Sequence, residues 1–133
     1  MTSRRRDRPV PRRRDALTIE IHDVLTADLI QPRYRAGAGQ FDGYCYCASE
    51  AYFHLAGGRE AGLQPMQLEW RDTSHWWLVN RNGRVIDLTL GPGEGSGRFP
   101  YERGNRKAFR WTKDGPSKRA RTIIERVRQA RKA

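Results

Sequence analysis

The 133-residue sequence predicts a single α+β domain, with helices packed on a small antiparallel sheet. Three observations carry that expectation. Leu17, Ile21, Val24, Leu25 and Leu29 recur at helical spacing, and Ala120, Ile123, Ile124 and Val127 do so again near the C-terminus. Met66-Gln67-Leu68-Glu69-Trp70 alternates apolar and polar residues, as a half-buried strand does. Asn82-Gly83 stands between two apolar runs and signals a tight hairpin.

Taken in order, residues 1–15 are rich in Arg and Pro, with little to bury, and read as a flexible basic arm. The domain proper is expected over 16–133. Its first helix is Ala16–Ile30, ended by Gln31-Pro32, because proline disfavours helix in the residue before it. Ala36-Gly37-Ala38-Gly39 is a loose loop. A second helix runs from Cys45 to Leu55 and stops at Gly57-Gly58. Ala48, Ala51, Tyr52 and Leu55 form its apolar face, with Cys45 on that face and Cys47 turned away. Strands follow at Met66–Trp70, His75–Asn80 and Arg84–Leu88, the last two joined at Arg81-Asn82-Gly83. The Gly-rich run from Gly91 to Gly97 lacks the Lys-Ser/Thr of a phosphate loop and reads as a flexible loop. Phe99-Pro100-Tyr101 and Phe109-Arg110-Trp111 are short apolar anchors. Gly115-Pro116-Ser117 caps a last helix, Lys118–Ala130, whose outer face is nearly all Arg and Lys. The sequence contains no internal repeat.

Charge is unevenly spread. Residues 1–15 carry a net +5 and residues 102–133 a net +9, leaving −3 for the body of a chain whose total is +11. Basic ends of this kind suit nonspecific contact with nucleic acid or another polyanion, and also serve solubility alone. The two cysteines stand one residue apart and do not readily bridge each other, so a reduced, cytoplasmic setting is expected. No run of about eighteen apolar residues marks a membrane span. The arginines at the N-terminus precede no apolar stretch of the secretory kind.

Chemistry concentrates between Gly43 and Thr89. Cys45 stands where a helix begins, His75 at the start of an apolar strand, and Asp87 at the far end of the next strand. That is the chain order of a Cys-His-Asp nucleophilic triad. The thiolate is the nucleophile, and the partial positive charge of a helix N-terminus favours it. A histidine removes the proton and later returns it. A carboxylate on the other ring nitrogen fixes tautomer and orientation. Singly, each residue also has an ordinary structural role: packing for Cys45, a strand edge for His75, a turn for Asp87. Their order and placement together point to chemistry. Cys45 is preferred over Cys47 because it lies nearer the helix start.

Gly43-Tyr44-Cys45 opening a helix, His75-Trp76-Trp77 opening a strand and Asp87-Leu88-Thr89 after a Gly turn resemble the transglutaminase-like branch of the papain-type cysteine enzymes. The resemblance extends from Gly43 to Thr89. It implies a papain-like or transglutaminase-like core, with Cys45 as nucleophile, His75 as base and Asp87 as orienting acid. It also implies an oxyanion donor in Gln40, which resembles the glutamine found just upstream of the cysteine in papain-like enzymes.

Three further residues are candidates for a substrate cleft. Trp76 and Trp77 alternate sides of their strand, so one packs in the core and the other walls the cleft. Glu50, about one turn past Cys45, is either an exposed helix glutamate or a group that holds a substrate amine. A structural zinc site needs four ligands, normally as two separated pairs, and Cys45, Cys47, His22, His54 and His75 do not supply that pattern. A zinc deaminase needs His-x-Glu and Cys-x-x-Cys, and neither occurs. No metal and no cofactor is expected. The expected function is therefore a thiol enzyme acting on an amide or acyl substrate, a protein among the candidates, by hydrolysis, deamidation or transfer. The alternative is a non-catalytic basic adaptor for nucleic acid or an acidic protein.

Overall fold

Apolar periodicity and strand alternation resolve into three helices and a four-stranded antiparallel sheet, an α+β architecture. The computed structural model describes residues 15–29, 44–70, 73–89, 99–110 and 112–133. The loop at 36–39, the Gly-rich run at 91–97 and all of the expected arm except Asp15 lie outside these residues.

Helix α1 spans Ala16–Val24. Asp15 belongs to it and not to the arm: its carboxylate caps the helix by accepting from Thr18 N at 2.8 Å, and it also accepts from Tyr52 Oη at 2.5 Å. The helix stops well before the expected Ile30. Leu25 is extended, and a single 3-10 turn follows at Ala27–Leu29. Here side chains outcompete the helix. Thr26 bonds Asp28, and Arg126 Nη1 donates to the Val24 carbonyl at 3.0 Å, satisfying an oxygen that a continuing helix would have used.

Helix α2 spans Cys45–Leu55 and is buried on several sides: Cys47, Ala48, Ser49, Glu50, Ala51 and Tyr52 are all shielded from solvent. It packs on α1, on the sheet, and on α3, which spans Lys118–Lys132. This enclosure corrects the expected facing of the cysteines. Cys47 is in the core, and Cys45 is partly exposed. Helix α3 buries the expected stripe of Ala120, Ile123, Ile124 and Val127, and Ser117 caps its start.

The strands are β1 (Gln64–Trp70), β2 (Thr73–Val79), β3 (Val85–Ile86) and β4 (Asn105–Arg106), in the spatial order β3-β2-β1-β4. The β2–β3 hairpin turns where expected. Asn80 Oδ1 accepts from Asn82 N and Arg84 N, both at 2.9 Å, and Gly83 adopts φ 81°, a left-handed value that suits glycine. Strand β4, only two residues long, polar and exposed, carries no alternation that a sequence could signal.

Both faces of the sheet bury apolar side chains. On one face Leu78, Ile86 and Leu88 join Ile21, Ala48, Ala51, Ile123 and other helix residues. On the other, Trp77 and Val85 pack with Phe99 and Tyr101. Burial on both faces accounts for the nearly unbroken apolar run of β2. It also creates two layers at one end of the sheet, and the candidate site lies there.

Candidate active site

His75 and Asp87 come together through strand register. Leu78 pairs with Ile86 and Val79 with Val85. Continuing that register sets Asp87 opposite Trp77, which makes His75 its diagonal neighbour on the same face. His75 Nε2 and Asp87 Oδ2 are 2.8 Å apart, with both side chains almost wholly buried. Four hydrogen bonds converge on the Asp87 carboxylate. Oδ2 accepts from His75 Nε2 and, at 2.7 Å, from the Tyr101 hydroxyl; Oδ1 accepts from Thr89 N at 2.9 Å and Thr89 Oγ1 at 3.1 Å. Thr89 thus gives the Asp-x-Thr spacing its physical meaning: a side chain two residues on closes a local turn around the acid. The sequence marks Tyr101 as an apolar anchor; its hydroxyl role leaves no mark there.

Electrostatics follow from this packing. Burial by itself would lower the pKa of His75, but the Asp87 carboxylate, its hydrogen bond and a hydrogen bond with Cys45 raise it to about 10. Burial would raise the Asp87 carboxyl, yet His75, Tyr101 and Thr89 hold it below its ordinary value. Tyr101 is pushed up by burial and by the carboxylate it faces. The His75 ring lies between aromatic groups, stacked on Trp77 with centroids 5.7 Å apart and edge-on to Phe99 at 4.7 Å. Those rings exclude water and offer π-faces to an imidazolium.

Cys45 is delivered by a match of pitch between helix and strand. Its Sγ donates to the Ser74 carbonyl at 3.5 Å, and Ser49 Oγ, one turn on, donates to the Trp76 carbonyl at 3.4 Å. Four helical residues advance about 6 Å and two strand residues about 6.6 Å, so α2 stays in step with β2. The thiol therefore arrives level with His75. Because Nε2 is held by Asp87, Nδ1 is the nitrogen left for Cys45. Tyr44, the N-cap of α2, makes no side-chain cap hydrogen bond. The spacing Cys45-x-x-x-Ser49 was the available sequence signal for this docking.

Cys47 is a different kind of thiol. It packs in the helical core near the Leu29 and Tyr44 carbonyls, and burial, followed by the charge on Cys45, pushes it up to about 12.

The remaining candidates separate cleanly. Trp76 is half-buried and lines a cavity of about 580 Å³ together with Tyr46. Trp77 does not reach a cleft: it is fully buried, and a Cβ on Gly104 would stand 2.5 Å from its Cη2 atom. Glu50 is neither exposed nor in a cleft. It is fully buried, with Oε1 accepting from Ser117 Oγ at 2.7 Å and Oε2 from Ser117 N at 3.2 Å, so it ties α2 to the start of α3. Gln40 and Gly43 lie outside the described residues. Among the described residues no group of three or more His, Cys, Asp or Glu is arranged to hold a metal ion. None of the described helices is long and apolar enough to cross a membrane.

Comparison with protein-family models, curated proteins and solved structures finds no match to this chain in any of the three.

Proposed function

We propose that the chain is a thiol-dependent acyl-transfer enzyme of the transglutaminase-like or papain-like type, acting on an amide or acyl substrate in a reducing, cytoplasmic setting. The observation that carries this reading is the buried His75–Asp87 pair at 2.8 Å, with Cys45, held against the Ser74 carbonyl, among the groups that raise the His75 pKa. A core histidine needs no fully buried carboxylate, and a packing cysteine needs no imidazole.

In the proposed reaction His75 already holds the proton given up by Cys45, and the thiolate attacks the substrate carbonyl carbon. A C–S bond forms, and the carbonyl π-electrons move to oxygen. Backbone N–H groups at the start of α2, with the Gln40 amide, are the proposed donors to that oxyanion. Collapse breaks the C–N bond, and the leaving amine takes its proton from His75. Water or a second amine then attacks the thioester, giving its proton back to His75, and Cys45 departs. Asp87 keeps Nε2 occupied throughout, so that Nδ1 faces the thiol.

Limiting alkylation with iodoacetamide at neutral pH tests this directly. One fast cysteine, mapped to Cys45 by mass spectrometry, is the expected result, and His75→Ala should abolish the low-pH limb of its rate profile. Two equally slow cysteines would favour the second reading, a basic adaptor, for which the exposed cationic face of α3 speaks.

A further inference from the structure

The 580 Å³ cavity opens between the first turn of α2, the middle of β2, the segment after β4 and the start of α3. Its size falls within the usual range for ligand pockets, roughly 300–1,000 Å³. Tyr46 and Trp76 form an aromatic wall, and Lys107, Arg110 and Arg119 supply three cations. No carboxylate lines it among the described residues. The nearest acid along α2, Glu50, is buried and engaged by Ser117.

The backbone that carries Arg110 is held in place. Tyr46 Oη accepts from Arg110 N at 2.8 Å, and Phe109 stacks on Trp76 with centroids 5.4 Å apart while meeting Tyr46 edge-on at 5.4 Å. Tyr46 follows Cys45 in the first turn of α2, and its ring meets Trp76 edge-on at 4.8 Å, so the wall stands on the α2 side of the sheet beside the turn that carries Cys45.

We infer that this cavity is a subsite for the acidic side chain of a peptide substrate, an inference that rests on the acyl-transfer reading for the peptide and on the cavity for the charge. Two guanidinium forks and an ammonium around an acid-free cavity select an anion, and a fork pairs with a carboxylate in bidentate fashion. Phosphate shares that chemistry. The amide bond that Cys45 would attack favours the carboxylate, because a peptide brings both groups on one chain. The aromatic wall accepts the apolar stem that carries the acid.

The test uses the full chain carrying Cys45→Ser, so that binding is read without turnover. A blocked, fluorescein-labelled peptide rich in glutamate is titrated at low salt by anisotropy. Its glutamine counterpart and inorganic phosphate serve as competitors. Arg110→Ala and Lys107→Ala remove exposed side chains and should leave the melting temperature unchanged while weakening the glutamate peptide roughly tenfold each. Arg84→Ala, exposed at the β2–β3 turn away from the cavity and from the basic ends, should change nothing. Equal loss in Arg84→Ala would mean diffuse attraction and overturn the subsite. Equal competition by the glutamine peptide would overturn the acidic preference, and phosphate competing as well as the glutamate peptide would overturn the peptide assignment. If the subsite behaves as expected while wild-type Cys45 alkylates no faster than Cys47, the acyl-transfer reading fails by itself.

Discussion

Tyr101 and His75 donate to the same oxygen: Asp87 Oδ2 takes the Tyr101 hydroxyl at 2.7 Å and His75 Nε2 at 2.8 Å. The pair on the sheet is therefore part of a wider network, with Thr89 on the other carboxylate oxygen and Tyr101 arriving from the 3-10 turn that follows Pro100. A carboxylate this deeply buried needs its lone pairs satisfied, and Tyr101 supplies the one donor that neither the hairpin nor the local turn can reach.

Tyr101→Phe should preserve the fold, because the ring keeps its contacts with Trp77 and Phe99. Losing a hydrogen bond to a charged group should cost about 1.5–3 kcal/mol, read as a lower urea midpoint. One of the causes that lower the Asp87 pKa disappears with the hydroxyl, so acid unfolding should begin at a higher pH. An unchanged acid transition would show that Asp87 is held by His75 and Thr89 alone.

The His75–Asp87 pair also makes stability depend on pH in a defined direction. The pKa of His75 is raised from 6.5 to about 10 on folding, so its contribution is complete below about 6.5 and is lost as pH rises through about 10. That of Asp87 is lowered from 3.8, so its contribution is present above 3.8 and is lost as pH falls through the lower folded value. These are two ends of one interaction and are counted once. Melting temperature against pH, for the parent and for His75→Gln, should show the parent's advantage shrinking across the alkaline window. A constant difference between the two would mean that His75 is neutral in the folded protein.

Much of this architecture is legible in the residues, and what is not has identifiable causes. Helical stripes such as Ala120, Ile123, Ile124 and Val127 and the Asn82-Gly83 turn are local signals, and local physics decides them. The relation of His75 to Asp87 was readable because hairpin register is set by a short turn. The facing of Cys45 and Cys47 runs opposite to the one-sided helical pattern, because α2 is enclosed by α1, α3 and the sheet. Glu50 misleads for the same reason: glutamates are rarely buried, and only its tertiary partner Ser117, 67 residues away, makes burial tolerable. Tyr101 and the cationic cavity depend on where the chain returns after 99, which no periodicity encodes.

Glu50 and Ser117 give a test of structural against chemical roles. Ser117 caps α3 through its hydroxyl while giving that hydroxyl's proton to Glu50. Ser117→Ala removes a helix cap, about 1 kcal/mol, and leaves one oxygen of a buried carboxylate without its donor, about 1.5–3 kcal/mol more. The variant should melt well below the parent. Its Cys45 alkylation rate, measured per folded molecule, should not change. A specific loss of thiol reactivity without loss of stability would return Glu50 to the reacting centre.

The basic ends should bind a polyanion independently of the thiol. Not every cation is free for this: Arg131 is held by Glu20 through two bonds of 2.8 Å, and Arg126 by Asp28, Thr26 and the Val24 carbonyl, which clamps α3 onto α1. Lys118, Arg128 and Lys132 remain on the exposed face of α3 with Arg121, whose Nε alone donates to the Pro116 carbonyl, and residues 2–14 add seven arginines. Neutralising phosphates releases condensed counterions, so affinity for unrelated duplexes should fall steeply with salt and differ little between sequences. Each phosphate contact contributes about 0.9 to the log–log slope. Deleting residues 2–14 should flatten that slope, Arg121→Ala with Arg128→Ala should flatten it further, and Cys45→Ser should leave it where it was. A slope that survives both changes would locate the binding charge elsewhere, and binding confined to one sequence would require base contacts that a purely electrostatic surface cannot make.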